Sequence, residues 1–455
     1  MNWQGKRALV VGAGRSGQAA VLKLKKLGAE VFLTDRQERE KLQGIEKLGL
    51  DEAHLFLARV PEWEEIRAEL IVLSPGVSPE QGFIQAALAE KVPVWSEVEL
   101  AMRDSAAVCV GITGTNGKTT TTTLAGELAK RTGRPTRVVG NIGLAMSGQV
   151  EDLAENGIVV AELSSFQLEF IDKLHVQIGI FLNVTPDHLD RHHTLANYLE
   201  VKARLFENQT PSDLAILNWD DPLVRSLGGE MKGRVLYFSS TSFLPDGISV
   251  WQDKIVYAEG GERTEIVERQ ALQLRGSHNL ENVMAAAAAA RELGLTWPEI
   301  AQVLREFPGV EHRQEKVGVF DGILFINDSK GTNPNASEKA LLAFEDPLIL
   351  IAGGKNKGLD FHEFMKLVKR KVKHLVLLGQ AAAEMEEAAR DEGVERIVRA
   401  SSLEDAVEKG IAEASPGDVV LLSPACTSWD MFKSYEERGE LFKELVRRHY
   451  REPKL

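Results

Sequence analysis

Two short stretches of the chain have the residue types of a phosphate cradle. The first, VVGAGRSG, sets Gly12, Gly14 and Gly17 in the spacing G-x-G-x-x-G straight after the apolar run KRALVV. Glycines so placed let backbone approach a diphosphate and aim a helix N-terminus at it. The next apolar run, EVFLTD, ends on Asp35, about where dinucleotide-binding folds carry an acidic residue. An ordinary strand-to-helix turn fits this spacing too, and a nicotinamide dinucleotide is one of several diphosphates that would suit it. The second stretch is GITGTNGKTT, residues 111–120, entered from AAVCVGIT. The common loop G-x-x-x-x-G-K-[ST] needs a glycine at 112, where this chain has Ile112. Gly114, Thr115, Asn116, Gly117, Lys118, Thr119 and Thr120 nevertheless supply what a nucleoside triphosphate needs. Backbone N–H groups meet the phosphate oxygens, the Lys118 ammonium meets the terminal phosphates, and the Thr119 hydroxyl suits a magnesium ion.

Glu162 in VAELSS, His188 in NVTPDHLDRH and Lys202 in EVKARLF are ordinary taken singly. A polar residue at a strand end is commonly satisfied by its neighbours, and a helix lysine is commonly solvated. Glu162 and His188, however, both follow apolar strands of the unit that carries Thr119. Open α/β sheets gather such residues at one edge.

The elements that must position these groups are read from hydrophobic runs. Strand-like segments alternate with helical ones along the whole chain, and many strands are apolar throughout, the pattern of parallel sheets covered on both faces. The fold class is α/β, in three consecutive domains: residues 1–98 Rossmann-like, 99–309 of the P-loop mononucleotide-binding type, and 310–455 Rossmann-like. Around 247–270, GISVWQDKIVYAEGGERTEIV alternates apolar and polar residues across a Gly-Gly turn, which predicts antiparallel pairing beside the central parallel sheet. The third domain reads as GILFIND, LILIAGG, HLVLLG, RIVRA and DVVLLSPA, a parallel, doubly wound sheet. Pro308-Gly309 marks the join.

Composition narrows the function. The chain has 455 residues, 44% hydrophobic and 27% charged, with a formal net charge of -13. That charge leaves no basic surplus for nucleic acid or an anionic membrane. Cys109 and Cys426 stand alone in apolar runs and read as buried, reduced thiols. No run reaches the length of a membrane span and no signal peptide opens the chain, so the cytoplasm is the expected compartment.

One resemblance draws these motifs together. GTNGKTT, GNIG (140–143), ELSSFQLE (162–169), NVTPDHLDRH (183–192), the Lys202 helix, GSHNLEN (276–282), HRQE (312–315), INDSKGTNP (326–334), GGKNKGLDF (353–361) and LLSPACTSWDMF (421–432) resemble, in order, the motifs of the Mur ligases. These are ATP-dependent amino-acid ligases of bacterial peptidoglycan precursor synthesis, and the family's loop, G-T-[NS]-G-K-[ST], accounts for Ile112. The N-terminal GAGRSG, TD and SPG turns resemble those of the D-glutamate-adding branch.

The resemblance implies two cradles with separate tasks. The first would take the UDP end of UDP-N-acetylmuramoyl-L-alanine through Arg15, Ser16, Asp35, Arg36, Ser74 and Gly76, with Asn141 and His188 toward the muramoyl-alanine end. The second would take ATP, with Asn282, Arg313 and Asp328 as further ATP residues. Thr119 and Glu162 resemble the ligands of one magnesium ion, and His188 and Lys202 those of a second, where the family's lysine is carbamylated. Lys118, His188 and Lys202 carry the implied catalytic roles. Lys330, Thr332, Lys357, Ser428 and Tyr435 match the D-glutamate region; Lys355 competes with Lys357, and Tyr435 stands where the family often has Phe. The implied partners are these small molecules alone, with no nucleic acid or membrane, and the implied state is a monomer. The third domain would swing closed over the other two. A folylpolyglutamate synthase shares the plan and chemistry, but the Rossmann-like N-terminal unit is out of place in it. An NAD-dependent oxidoreductase would leave GTNGKTT and INDSK idle. A non-catalytic nucleotide-binding regulator would need no Glu162, His188 and Lys202.

Overall fold

A computed structural model describes residues 2–274 and 276–451. The described residues fold as two compact units, one running to Ala271 and including His278–Arg305, the other made of Leu272–Ser277 and the chain from Glu306 on. The first unit holds two sheets and the second holds one.

The first sheet has five strands in the order Leu55–Leu57, Glu30–Asp35, Arg7–Val11, Leu70–Leu73, Val94–Ser96. All its pairings are parallel. Ala8, Leu9, Val10 and Val11 are all buried, because helices cover both faces and leave no solvent side for alternation. Strand order reverses between Arg7–Val11 and Leu70–Leu73, so the turns after these two strands, at Gly12 and Ser74, flank the crevice where such sheets bind ligands.

The second sheet has nine strands: Glu262–Glu268, Lys254–Glu259, Gly247–Trp251, Arg234–Ser239, Leu214–Asn218, Ile178–Phe181, Val108–Thr113, Ile158–Glu162, Thr136–Gly140. The expected antiparallel pairing lies at one edge, and it comprises two hairpins rather than one. The additional turn is Gln252-Asp253, both at positive φ, a conformation the alternation pattern does not show. The order reverses here between Val108–Thr113 and Ile178–Phe181, placing loops 114–117 and 182–188 side by side.

The third sheet runs Glu315–Phe320, Ile323–Asn327, Val419–Leu422, Leu348–Gly353, Val372–Leu378, Ile397–Arg399. Five of these strands are the predicted parallel set. Glu315–Phe320 corrects the expectation of a purely parallel sheet, since it pairs antiparallel with Ile323–Asn327 across Asp321-Gly322. As an edge strand with Gly318 and half-exposed residues, it lacks the continuous apolar run that marks a buried strand.

Within the first unit, the helix Glu97–Met102 joins the two sheets through buried carboxylates. Glu97 accepts the Ser147 N–H at 2.5 Å. Glu99, wholly buried, accepts the N–H groups of Asp172 at 2.9 Å, Lys173 at 3.1 Å and Leu174 at 2.8 Å, and pairs with Arg103 at 2.5 Å. Removing that acceptor would strand three backbone donors and leave Arg103 paired with Asp172 alone, at a cost of about 3 kcal/mol or more. Glu99→Ala is therefore expected to lower the thermal midpoint by several degrees, and Glu99→Gln, which keeps a carbonyl acceptor, by clearly less; differential scanning calorimetry of the two variants checks the order.

Candidate active site

The first cradle is held by its own strand ends. Gly12 adopts φ +96, and its N–H donates to Thr34 O at 2.8 Å. A Cβ at Gly17 would lie 1.8 Å from the Gly12 carbonyl oxygen, so only glycine lets this helix start so close to the strand. Asp35 braces the turn: its carboxylate accepts the N–H groups of Ala13 at 2.7 Å and Gln37 at 2.8 Å. The Ser74 hydroxyl donates to Gly12 O at 3.1 Å, which seats the Ser74–Gly76 turn against the glycine loop. Ser16 is half-buried, while Arg15, Arg36 and Gly76 are exposed around the same crevice. Arg15 reaches across to Gly143 O at 3.3 Å, in the GNIG loop.

The second cradle begins where Val108–Thr113 ends and the helix Lys118–Lys130 starts. Thr115 N–H donates to Asn183 O and Asn116 N–H to Asn183 Oδ1, both at 2.9 Å, so the loop is tied to the neighbouring strand end. Asn282 packs against it: its Oδ1 accepts the Thr121 hydroxyl at 3.2 Å, and a Cβ at Gly117 would meet that oxygen at 2.2 Å. Thr119 and Thr120 are buried in the first turn of the helix.

Two lysines converge on one carbonyl. Lys118 Nζ donates to Gly114 O at 2.8 Å and Thr115 O at 2.9 Å, and Lys202 Nζ donates to the same Gly114 O at 2.9 Å. Lys202 is 1% exposed and lies over the Tyr198 ring at 4.6 Å. Burial first, and then the Lys118 charge, holds its pKa well below the ordinary lysine value, with Asp187 and Glu162 opposing. Glu162 is 2% exposed; Asn141 Nδ2 donates to its Oε1 at 2.9 Å, while its Oε2 has no hydrogen-bond partner among the described residues. An orphaned buried carboxylate oxygen beside the Thr119 turn is the donor type a hard divalent cation takes, so these residues fit magnesium. His188 caps a short turn at φ +52 and rests on the Phe166 ring at 4.8 Å.

Sequence reading had not assigned roles to Asn183, Asp187 or Tyr198. Asp187 and Asn183 lie inside the quoted NVTPDHLDRH motif, which was the available signal; Tyr198, one turn before Lys202, carried none.

In the second unit, Asp328 follows Ile323–Asn327 and is buried; its Oδ2 accepts the Ser423 hydroxyl at 2.6 Å and its Oδ1 the Gln314 N–H at 3.2 Å. The Arg313 charge acts on the same carboxylate. The Lys330 ammonium lies over the Tyr435 ring at 5.5 Å, with Thr332 on the same loop. Lys355 pairs by backbone with Thr427, next to buried Ser428, and Lys357 lies over the Trp429 ring at 4.7 Å. Cys109 and Cys426 are buried and unbonded, as expected, and burial pushes both thiols up to about 12. No helix among the described residues is long and apolar enough to cross a membrane.

Two glycine-rich strand-to-helix loops, the second with Lys118 and Lys202 donating to one of its carbonyls, define an α/β fold of the mononucleotide-binding type. Residues 112–290 match the Mur ligase middle domain, 6–96 the Mur ligase MurD-like N-terminal domain, and 312–426 the Mur ligase glutamate ligase domain. The UDP-N-acetylmuramoylalanine--D-glutamate ligase of Desulfitobacterium hafniense (strain Y51) is 67% identical over 100% of both chains. That of Pelotomaculum thermopropionicum is 49% identical over 97% of both. Among solved structures, the UDP-N-acetylmuramate-alanine ligase of Thermotoga maritima matches with a TM-score of 0.59 at 20% identity, over 98% of this chain and all of that one. A pseudomurein peptide ligase of Methanothermus fervidus matches with a TM-score of 0.60 at 18% identity, over 97% and 100%. The chain belongs to the Mur ligase family. It is an ATP-dependent ligase.

Asp328 carries a pH signature. Burial pushes its carboxyl from 3.8 up to about 6, against the pull of Ser423 and Arg313. The folded chain thus keeps a proton that the unfolded chain has lost, so stability falls as pH rises from about 4 to about 6 and levels off above. Asp328→Asn is expected to flatten that fall; melting curves of both proteins across the window check it, the variant gaining relative to the parent as pH rises.

Proposed function

We propose that this chain joins D-glutamate to UDP-N-acetylmuramoyl-L-alanine, using ATP and releasing ADP and phosphate, in the bacterial cytoplasm and as a monomer. The observation that carries the reading is the convergence of Lys118 and Lys202 on the Gly114 carbonyl, with the Glu162 charge acting on Lys202. The names of the 67% and 49% identical relatives support the choice of substrates. We assign the domain bounds 1–98, 99–309 and 310–455 to the same reading.

A carboxylate is a poor acyl donor, because its leaving oxygen is unactivated. Transfer of the ATP γ-phosphoryl group to the alanine carboxylate makes an acyl phosphate and ADP. The amine of D-glutamate then attacks the acyl carbon, phosphate leaves, and an amide forms. In this reading Arg15, Ser16, Asp35, Arg36, Ser74 and Gly76 hold the UDP end, and Asn141 and His188 the muramoyl-alanine end. The Gly114–Thr120 loop holds the ATP phosphates, with Lys118 turning from the loop carbonyls to the terminal phosphate, and Asn282, Arg313 and Asp328 hold ATP further out. Lys330, Thr332, Lys357, Ser428 and Tyr435 bind D-glutamate. Thr119 and Glu162 would hold one magnesium ion, and His188 with a carbamylated Lys202 a second; bound there, the ions offset the charge of crowded phosphate oxygens.

The environment of Lys202 supports carbamylation. Carbon dioxide adds only to a neutral amine, and burial beside Lys118 favours that form. The carbamate exchanges a cation for two oxygens bearing a negative charge, which suits magnesium where an ammonium does not.

The test of the activity is ADP release on mixing the protein with ATP, UDP-N-acetylmuramoyl-L-alanine and one amino acid at a time; release with D-glutamate is expected, and its absence overturns the reading. Lys118→Ala is expected to cost about 10²–10³ in rate and to leave calorimetric binding of the UDP substrate near that of the parent. Lys202→Ala is expected to lose most activity and to recover part of it in acetate, whose carboxylate refills the vacated position; full activity without acetate removes the carbamate from the mechanism.

A further inference from the structure

The sequence motif NVTPDHLDRH contains an arginine that the reading above leaves without a task. Arg191 is largely buried, with its side chain 14% exposed. Its guanidinium makes contacts on three sides. Nη1 donates to the Val77 carbonyl at 2.5 Å. Nε and Nη2 donate to Glu169 Oε2 at 3.0 and 2.6 Å. The guanidinium carbon lies over the Phe166 ring at 4.9 Å.

Each contact leads to a different part of the site. Val77 closes the turn that begins at Ser74, its N–H donating to Ser74 O at 3.0 Å, and the Ser74 hydroxyl in turn holds Gly12 O. The Phe166 ring lies between the arginine and the histidines, 4.8 Å from the His188 ring and stacked on His192 at 5.6 Å. Glu169 anchors the arginine from the segment that follows Glu162, and the Glu169 backbone carbonyl is itself held by Arg204. The carboxylate ties made by Glu97 and Glu99 also join the two sheets, but they end on 147 and 172–174 and not on the Ser74 turn. Arg191 ends on the turn that carries Ser74 and Gly76.

We propose that Arg191 is a positioning residue that fastens the Ser74–Val77 turn of the first cradle to the His188 corner of the second. A charge-assisted donor on a backbone carbonyl, backed by a carboxylate and an aromatic face, keeps its geometry when the ligands change. The fork matters here: a lysine carries its charge on one nitrogen, which meets Val77 and Glu169 together less well than the guanidinium does. The spacing between the nucleotide end and the reacting end of one substrate is then set by one side chain that touches neither. The inference rests on the first cradle holding the UDP end.

The experiment measures binding of UDP-N-acetylmuramoyl-L-alanine by calorimetry and steady-state rates with ATP and D-glutamate for Arg191→Ala, Arg191→Lys, Ser74→Ala and the Ser74→Ala/Arg191→Ala pair. Loss of a charge-assisted hydrogen bond predicts that Arg191→Ala binds the UDP substrate about tenfold more weakly, with kcat also down about tenfold. The KM for ATP should stay within about twofold while that for the UDP substrate rises, whereas a smaller folded fraction would lower kcat and leave both KM values unchanged. Arg191→Lys should show about a threefold loss, and it carries the test if the alanine variant does not fold. Because Arg191 acts through the turn, the pair should bind the UDP substrate no more than about twofold more weakly than the worse single variant. Multiplying single effects, or unchanged binding in the Arg191 variants, overturns the proposal while leaving the activity standing. If the parent protein does not bind the UDP substrate at all, the reading of the first cradle falls and the proposal falls with it.

Discussion

Phosphate chains lose strong hydration when they enter a protein, and only donors already aimed at them can replace the lost water. Backbone N–H groups at the start of a helix meet that need, provided nothing bulky stands between helix and strand. The two glycine loops of this protein have the geometry that this constraint calls for. At Gly17 a single methyl group would strike the Gly12 carbonyl, and at Gly117 it would strike Asn282. The sheet order then decides where the cradles open, because each lies at a reversal of strand order, where two loops part.

Holding a strand end open carries a second requirement: the loops on either side must not drift. The protein meets it with half-buried polar groups that are hydrogen-bonded. Asn183 ties the Gly114 loop, Asp35 the Gly12 loop, and Ser74 bridges to Gly12. Polar groups drawn partly out of water are costly when a partner is missing, so they specify one arrangement and resist others. Glu97, Glu99 and Arg191 extend the same principle from loops to whole sheets.

The corner around Gly114 is built differently. Lys118 and Lys202 crowd one carbonyl, with Glu162 presenting a carboxylate oxygen that no group among the described residues answers. These are unfavourable arrangements for buried groups. Functional sites store such mismatches because the ligand, rather than the fold, resolves them. The depressed lysine and the orphaned oxygen are two expressions of the same burial.

Much of this was legible in the chain itself. Gly12, Gly17, Gly114, Gly117 and Lys118 announce two tight strand-to-helix turns through spacing, because such a turn is a local structure made by consecutive residues. The apolar runs announced the parallel sheets, because burial on both faces removes alternation. The tertiary structure alone decided the rest. The edge strand Glu315–Phe320 and the turn at Gln252-Asp253 have no distinctive local pattern. Glu99 meets backbone donors more than seventy positions away, and Arg191 meets Val77 across 114. Neither spacing nor composition encodes such pairs, since a buried charge is matched by whatever the folded chain brings beside it. Local geometry is written in neighbours along the sequence; the matching of buried charges is written only in neighbours in space.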